Sequence, residues 1–437
     1  MKRITRKEKR SKESKKNFFG EFIKVKEHFF KDLVKKLKEV KDCRNKGYID
    51  YGVEVLLLMI ILKNALGIKS MRDMTVQFNK SECMENMAKV LEVEKLEELP
   101  HYDTINDFLC KLENKEIEKI RDYMIKELLK KRCLEQHKYQ GKYWIIAIDA
   151  TSLFYFRERH CEHCLKKEFK DKETGEVIRT AYYHNVLEAK LIIGDMVFSI
   201  ATEFIENEDE NVSKQDCEQN AFKRLEEKLK SKFPRLPIVI LGDSLYACEP
   251  VFKICEKNKW KFIFRFKEGS IKTVAAEFNK LKEYDKNEHA NCTWVNEIAY
   301  NKRTVNVVEM KAVEKEKEKY FLFITSLHIT KNKVAGIVLA GRSRWKIENE
   351  GFNTQKNIRY NIEHANSLNY NAMKNHYLLI QITDIIRQLF ELGAIKMRGL
   401  IKSIKEISSN LLESFRTRIL TAEDISKIRK RTQIRLQ

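Results

Sequence analysis

The 437-residue sequence has few of the residues that interrupt regular structure, with four prolines and 14 glycines. Collagen-like, mucin-like and linker-dominated chains are excluded, and most of the chain is expected to be regular structure, helix above all. Long apolar runs are missing too. The longest, Val53 to Leu62, contains Glu54 and stops at Lys63. It is too short to span a bilayer and reads as a buried helix. No apolar segment of the secretory kind follows the basic N-terminus, so a cytoplasmic protein with no membrane partner is expected. The ten cysteines are scattered; they make no disulfide scaffold, and reduced thiols are the simplest reading. No glycine-rich phosphate loop appears, so ATP use is not expected, and no Ser or Cys sits in a nucleophile elbow. Acid is in deficit: 85 Lys and Arg face 64 Asp and Glu, a formal charge of +21. A chain this basic presents a positive field to polyanions, and nucleic acid is the expected partner.

What is present, 43% hydrophobic and 34% charged residues, describes a folded chain of two or three domains. Residues 1–16 carry nine Lys or Arg against Glu8 and Glu13, without apolar periodicity, and read as a basic arm. From Phe18 to about Leu134 apolar residues recur at helical spacing, as in Phe22, Val25, Phe29, Leu33 and Leu37, with Asp103 or Thr104 as an N-cap. Residues 1–140 are therefore read as a basic arm plus a helical domain. The texture changes at Gly141. Strands are expected over Trp144–Asp149, continuing through Phe156, and over 184–193, 196–205, 238–243 and 261–266. Helices are expected over 215–232 and 250–257, giving a mixed α/β layer over 141–269. Residues 270–327 alternate at strand length and read as a β-rich insertion. From 328 to 437 the pattern is helical again, and Arg416 to Arg435 carries seven basic residues.

Two acids stand at the C-terminal ends of buried strands: Asp149 after Trp144-Ile-Ile-Ala-Ile, and Asp243 after Ile238-Val-Ile-Leu-Gly. At a sheet edge of this kind carboxylates lie where ligands bind, although a single such Asp is as often a cap for the next turn. In Arg344-Trp-Lys-Ile-Glu-Asn-Glu, Arg344 and Glu348 share one helix face, which reads either as a surface ion pair or as a metal ligand beside a phosphate-holding arginine.

The set Ala147-Ile-Asp-Ala-Thr, Leu241-Gly-Asp-Ser-Leu-Tyr and Arg344-Trp-Lys-Ile-Glu-Asn-Glu-Gly-Phe-Asn resembles the DDE transposases of insertion sequences. It is most like the group whose third acid lies in a Tyr-Arg-Glu-Lys signature. Glu203-Phe-Ile-Glu-Asn and Lys214-Gln-Asp-Cys-Glu support it, and the resemblance covers roughly residues 100–390. It implies a ribonuclease H-like catalytic core interrupted by the β-rich insertion, which explains the long stretch between Asp243 and Glu348. It also implies that Asp149, Asp243 and Glu348 are catalytic and hold two Mg²⁺ (or Mn²⁺) ions for in-line displacement at phosphorus. Arg344, Trp345 and Lys356 would contact DNA: Arg344 a phosphate, Trp345 an unpaired base. Trp345 reads equally as a core residue. Glu350 is a fallback third ligand that breaks the Arg spacing. The Tyr position of the signature is Gly341 and the Lys position is Gln355, with Lys356 one step late. On an ideal α-helix Gln355 lies about 20° from Glu348 and Lys356 about 80°.

The partner implied is double-stranded DNA with terminal inverted repeats, cut by a homodimer on paired ends in a prokaryotic, nucleoid-associated setting. A DNA-binding regulator that has lost catalysis, or a metal-dependent nuclease without strand transfer, is the alternative. His160-Cys-Glu-His-Cys164 holds zinc-ligand residue types, with Cys161, Cys164 and His163 as candidates and His184 as the partner to test. A single Cys-x-x-Cys without a second spaced pair speaks against a structural Zn²⁺ there.

Overall fold

The computed structural model describes residues 17–430 except 159, 286, 315 and 396–402. The expected basic arm and the last residues of the basic C-terminal stretch lie outside the described residues. In chain order the helices are α1 (Phe18–Phe29), α2 (Leu33–Lys38), α3 (Val53–Ala65), α4 (Met71–Phe78), α5 (Ser81–Leu91), α6 (Tyr102–Lys111), α7 (Asn114–Leu129), α8 (Glu218–Lys232), α9 (Glu249–Asn258), α10 (Lys272–Asp285), α11 (Val334–Arg342), α12 (Tyr370–Gln388), α13 (Ile404–Thr417) and α14 (Ala422–Arg429). A π-helical segment runs over Ile347–Arg359. The chain forms two compact units, one of residues 134–354 and one joining the chain before 134 to the chain from 355 onward.

The second of these is helical. The apolar run at Val53 becomes α3, buried at every residue but Glu54, and among the described residues no helix is long and apolar enough to cross a membrane. The cap of α6 differs from expectation: His101 is the N-cap, its Nδ1 accepting from the Asp103 N–H at 3.4 Å, and Asp103 and Thr104 lie inside the first turn. Helix α12 starts at Asn369, whose side chain accepts from the Ala372 N–H. It is buried nearly all round and packs on α3, α6 and α7. This explains why the C-terminal helices join the N-terminal ones: a helix buried on every side, with polar residues such as Asn375, Gln381, Asp384 and Arg387 among its buried ones, needs neighbours on every side.

Residues 134–354 carry a ten-stranded mixed sheet. Its strands are β1 (Trp144–Phe156), β2 (Leu165–Lys170), β3 (Val177–Ile193), β4 (Met196–Ile205), β5 (Ile238–Gly242), β6 (Lys261–Phe266), β7 (Glu288–His289), β8 (Cys292–Tyr300), β9 (Arg303–Glu314) and β10 (Lys317–Thr325). The order is β2-β3-β1-β5-β6-β10-β9-β8-β7, with β4 also on β3. Strands β1, β5 and β6 run parallel. The sequences of β5 and β6 are near-continuous apolar runs, as parallel strands covered on both faces require. Helix α8 packs on β3 and β4, and α11 on β6 and β9. Ala147, Val239, Leu241, Ile263, Ile337, Ile347 and Phe352 meet in one buried cluster.

Three features differ from the sequence reading. The stretch expected to be β-rich opens with α10. Its strands also continue the main sheet, since β10 pairs antiparallel with β6. Strand β2 and the first half of β3 went unread because their Lys, Glu and Arg side chains are mostly exposed and carry no apolar alternation.

Candidate active site

Asp149 and Asp243 owe their closeness to register. In the parallel β1–β5 pair Ala147 is level with Leu241, so two residues further on Asp149, still inside β1 and opposite Glu188 of β3, is level with Asp243, the first residue past the end of β5. Neighbouring strands lie about 4.8 Å apart. Asp243 also shapes its own turn, its Oδ1 accepting from the Leu245 N–H at 2.8 Å. The cap reading of this Asp is therefore met, by one of its two carboxylate oxygens.

Glu348 comes from the π-helical segment. Arg344 Nη1 lies 2.6 Å from Glu348 Oε1 and 3.4 Å from Asp149 Oδ2, which ties the third acid to the first. The two partners differ in burial: Arg344 is largely buried, at 14% side-chain exposure, while Glu348 is the exposed partner, at 45%. Gly351 brings this helix onto the sheet, since a Cβ there would lie 3.3 Å from the stem of Lys190. Lys190 is a fully buried lysine on β3.

Burial pushes the Asp149 carboxyl up to about 7; Arg344 opposes this, and the charges of Glu348, Glu218 and Asp243 add to it. Four carboxylates thus share one electrostatic neighbourhood, an arrangement that disfavours full ionisation without added positive charge. Glu218 was not singled out from sequence. It is the first residue of α8, accepts from the Tyr246 hydroxyl at 2.6 Å, and is itself raised, by burial and then by Asp243. Tyr246 closes in over Gly242, where a Cβ would meet its ring at 2.8 Å. The signal was available: Glu218 ends the Lys214-Gln-Asp-Cys-Glu stretch, and Tyr246 ends Asp-Ser-Leu-Tyr.

A basic group adjoins the acids. Arg265 on β6 lies over the rings of Phe321 and Phe323, at 4.8 and 5.7 Å, and Arg342 over Phe321 at 4.5 Å. Burial, then Arg344 and Arg342, lower the Arg265 pKa. Its Nη1 is buried without a hydrogen-bond partner among the described residues. Sequence reasoning missed Arg265 because one basic residue in an apolar strand looks like a snorkelling edge position.

The departures from the signature have physical reasons. Gly341 ends α11 against the sheet, and a Cβ there would lie 2.7 Å from the Phe323 ring and 3.1 Å from Ile263. A tyrosine cannot occupy that position without displacing α11. Gln355 is fully buried, its amide exchanging hydrogen bonds with Gln381 and donating to Asp384 at 2.8 Å. The ideal-helix angles do not apply here, because a π turn takes about 4.4 residues. The wider turn rotates the residue seven places on away from the Glu348 direction and brings the eighth closer. Lys356, the eighth, keeps 20% side-chain exposure and pairs with Glu363 at 2.8 Å. Glu350, two places on, faces away from Glu348, and its Oε2 is buried without a hydrogen-bond partner among the described residues. Trp345 is 64% exposed, which removes the core reading of that residue.

The family model for the transposase DDE domain matches residues 140–383, more than half of the chain. The chain belongs to the DDE transposase family. No curated protein matches it. Enzymes of this family act on DNA and use divalent metal ions. The donor set suits that chemistry, since hard carboxylate oxygens are what Mg²⁺ or Mn²⁺ prefers over nitrogen or sulfur.

Proposed function

We propose that this DDE transposase cuts and rejoins insertion-sequence ends on a ribonuclease H-like core, with Asp149, Asp243 and Glu348 holding two Mg²⁺ (or Mn²⁺) ions. The observation that carries this reading is the level placement of Asp149 and Asp243 on adjacent parallel strands, with Glu348 tied to Asp149 through Arg344. The ions would supply the positive charge that neutralises the attacking and leaving oxygens of an in-line displacement. Glu218, held by Tyr246, keeps further negative charge beside Asp243 and so favours the metal-loaded form. Arg344 is placed to clamp a phosphate bidentately, and Arg265 has an uncommitted N–H for a neighbouring one. The exposed Trp345 ring offers a stacking surface for an unpaired base at the element end. Lys356 would add a backbone contact, releasing counterions as the phosphates bind. A homodimer on paired ends, a double-stranded partner with terminal inverted repeats and a nucleoid setting complete the proposal. The domain scheme proposed with it gives end recognition to the helical region before residue 141.

The test is cleavage and joining of a labelled duplex ending in the inverted repeats that flank the gene, with Mg²⁺, against Asp149→Ala, Asp243→Ala and Glu348→Ala. Nicking and strand transfer should fall by several kcal/mol of transition-state stabilisation, about 10³-fold or more, in each variant. End binding should persist. A wild type that binds ends but leaves them intact would favour the regulator, and cutting without joining would favour the nuclease.

A further inference from the structure

Away from the acids, β1 and β3 carry a second constellation that the transposase chemistry does not use. The chain turns at Cys161–Cys164, where the Cys164 N–H donates to the Cys161 carbonyl at 3.1 Å and the Cys161 N–H points at Cys164 Sγ at 3.4 Å. His184 on β3 stands opposite Phe154 of β1, and its Nε2 lies 3.3 Å from both sulfurs, which are 3.6 Å apart. Cys164 and His184 are buried and Cys161 is partly exposed. His163, a candidate from sequence, is turned elsewhere: its Nδ1 lies 2.9 Å from the Asn207 carbonyl.

These distances match a metal site better than they match the alternatives. A disulfide needs sulfurs about 2.05 Å apart. Tetrahedral zinc, with bonds of about 2.3 Å to sulfur and 2.0–2.1 Å to nitrogen, puts its sulfurs about 3.8 Å apart and sulfur about 3.6 Å from nitrogen. The observed triangle is that tetrahedral face, contracted by a few tenths of an ångström. The surroundings are those of a ligand set held in place from outside. Asn207 donates its side-chain N–H to the Cys164 carbonyl at 2.8 Å and its backbone N–H to the His163 carbonyl at 3.1 Å. The rings of Phe154 and Phe156 flank His184 edge-on at 6.2 and 6.4 Å, an apolar shell of the kind that controls solvent access to a metal site.

We infer that Cys161, Cys164 and His184 bind one Zn²⁺, which staples the loop after β1 to β3. Both sulfurs bind as thiolates and release their protons to solvent. The fourth position, on the side of the partly exposed Cys161, is taken by water or by His160, which lies 3.4 Å from Glu210. This revises the sequence expectation: the missing second pair is replaced by one histidine that strand pairing, not spacing, brings to the cysteines.

The full-length protein, purified under reducing conditions without chelator, should contain about one zinc per chain by elemental analysis, and Cys161→Ser/Cys164→Ser should lose it. Chelation should lower the wild-type Tm and leave that variant unchanged. If the variant does not fold, Co²⁺ titration of zinc-stripped wild type decides. An intense thiolate-to-cobalt charge-transfer band supports the site, and carboxylates cannot produce one, so the acid cluster does not confuse the readout. Absence of that band, zinc no higher than in the variant, or a Cys161–Cys164 disulfide in the intact mass of freshly purified protein would overturn the inference.

Discussion

Two buried carboxylates of this molecule meet opposite fates. Asp149, in the sheet-bearing unit, has Arg344 at 3.4 Å, yet burial and three nearby acids raise it to about 7. Glu391, in the helical unit, is more deeply buried, but Arg387 and Arg359 outweigh the burial and hold it below the usual carboxylate range. Arg387 Nε donates to Glu391 Oε1 at 2.8 Å, and Arg359 bonds the other oxygen and lies 3.5 Å from Asp384. Asp149 is left short of positive charge, and Glu391 is matched by two bases. The first arrangement asks for an incoming cation; the second is complete and serves the fold.

The largest expected effect breaks this comparison at the sheet. Asp149→Asn should cut strand cleavage about 10³-fold or more while leaving the metal-free Tm unchanged or higher, since a charge held at a cost is removed. A fall in Tm together with activity would make Asp149 structural. At the other pole, Glu391→Gln leaves two buried guanidinium groups short of a counter-charge. Denaturant unfolding should show a loss of about 3–5 kcal/mol, and a neutral result would refute the pairing argument.

A smaller effect sharpens the picture of the helical unit. Burial, then Lys63 and His364, depress the His376 pKa from 6.5 to about 3. Between these values the unfolded chain binds a proton that the native state refuses, so stability is lost as pH falls from about 6.5 towards 3. The difference in unfolding free energy between wild type and His376→Leu should shift against the wild type by up to about 1.4 kcal/mol per pH unit in that window, and be flat above pH 7. A flat difference throughout would mean that His376 accepts its proton in the native state. Smallest is Gly341→Tyr, which restores the family's signature residue. Overpacking against Phe323 and Ile263 should destabilise by about 1–3 kcal/mol, and an unchanged Tm would mean that α11 can move outward.

Much of this was legible in the residues. Strand-length apolar runs ending in Asp149 and Asp243, and the four-residue step from Arg344 to Glu348, are local patterns, and local patterns survive in a sequence. Arg265 was not legible in this way, and Glu218 and Tyr246 were legible only as the last residues of two quoted stretches, not as partners of the acids. Each sits in an unremarkable local context, a helix start, a turn and a strand, and acquires its role from a partner far along the chain.

The sequence by itself determined most element types outside α10, β2 and the start of β3, the positive charge, and the order of three acids with an arginine one turn before the last, because hydrophobic periodicity and side-chain chemistry act over a few residues. Only the tertiary structure decided that β10 extends the sheet and that the helices after Gln355 complete the N-terminal bundle. It alone set His184 against two cysteines, and gave Asp149 a raised pKa while Glu391 kept a lowered one. Those outcomes depend on strand register, burial and through-space charge, which couple residues that no spacing along the chain connects.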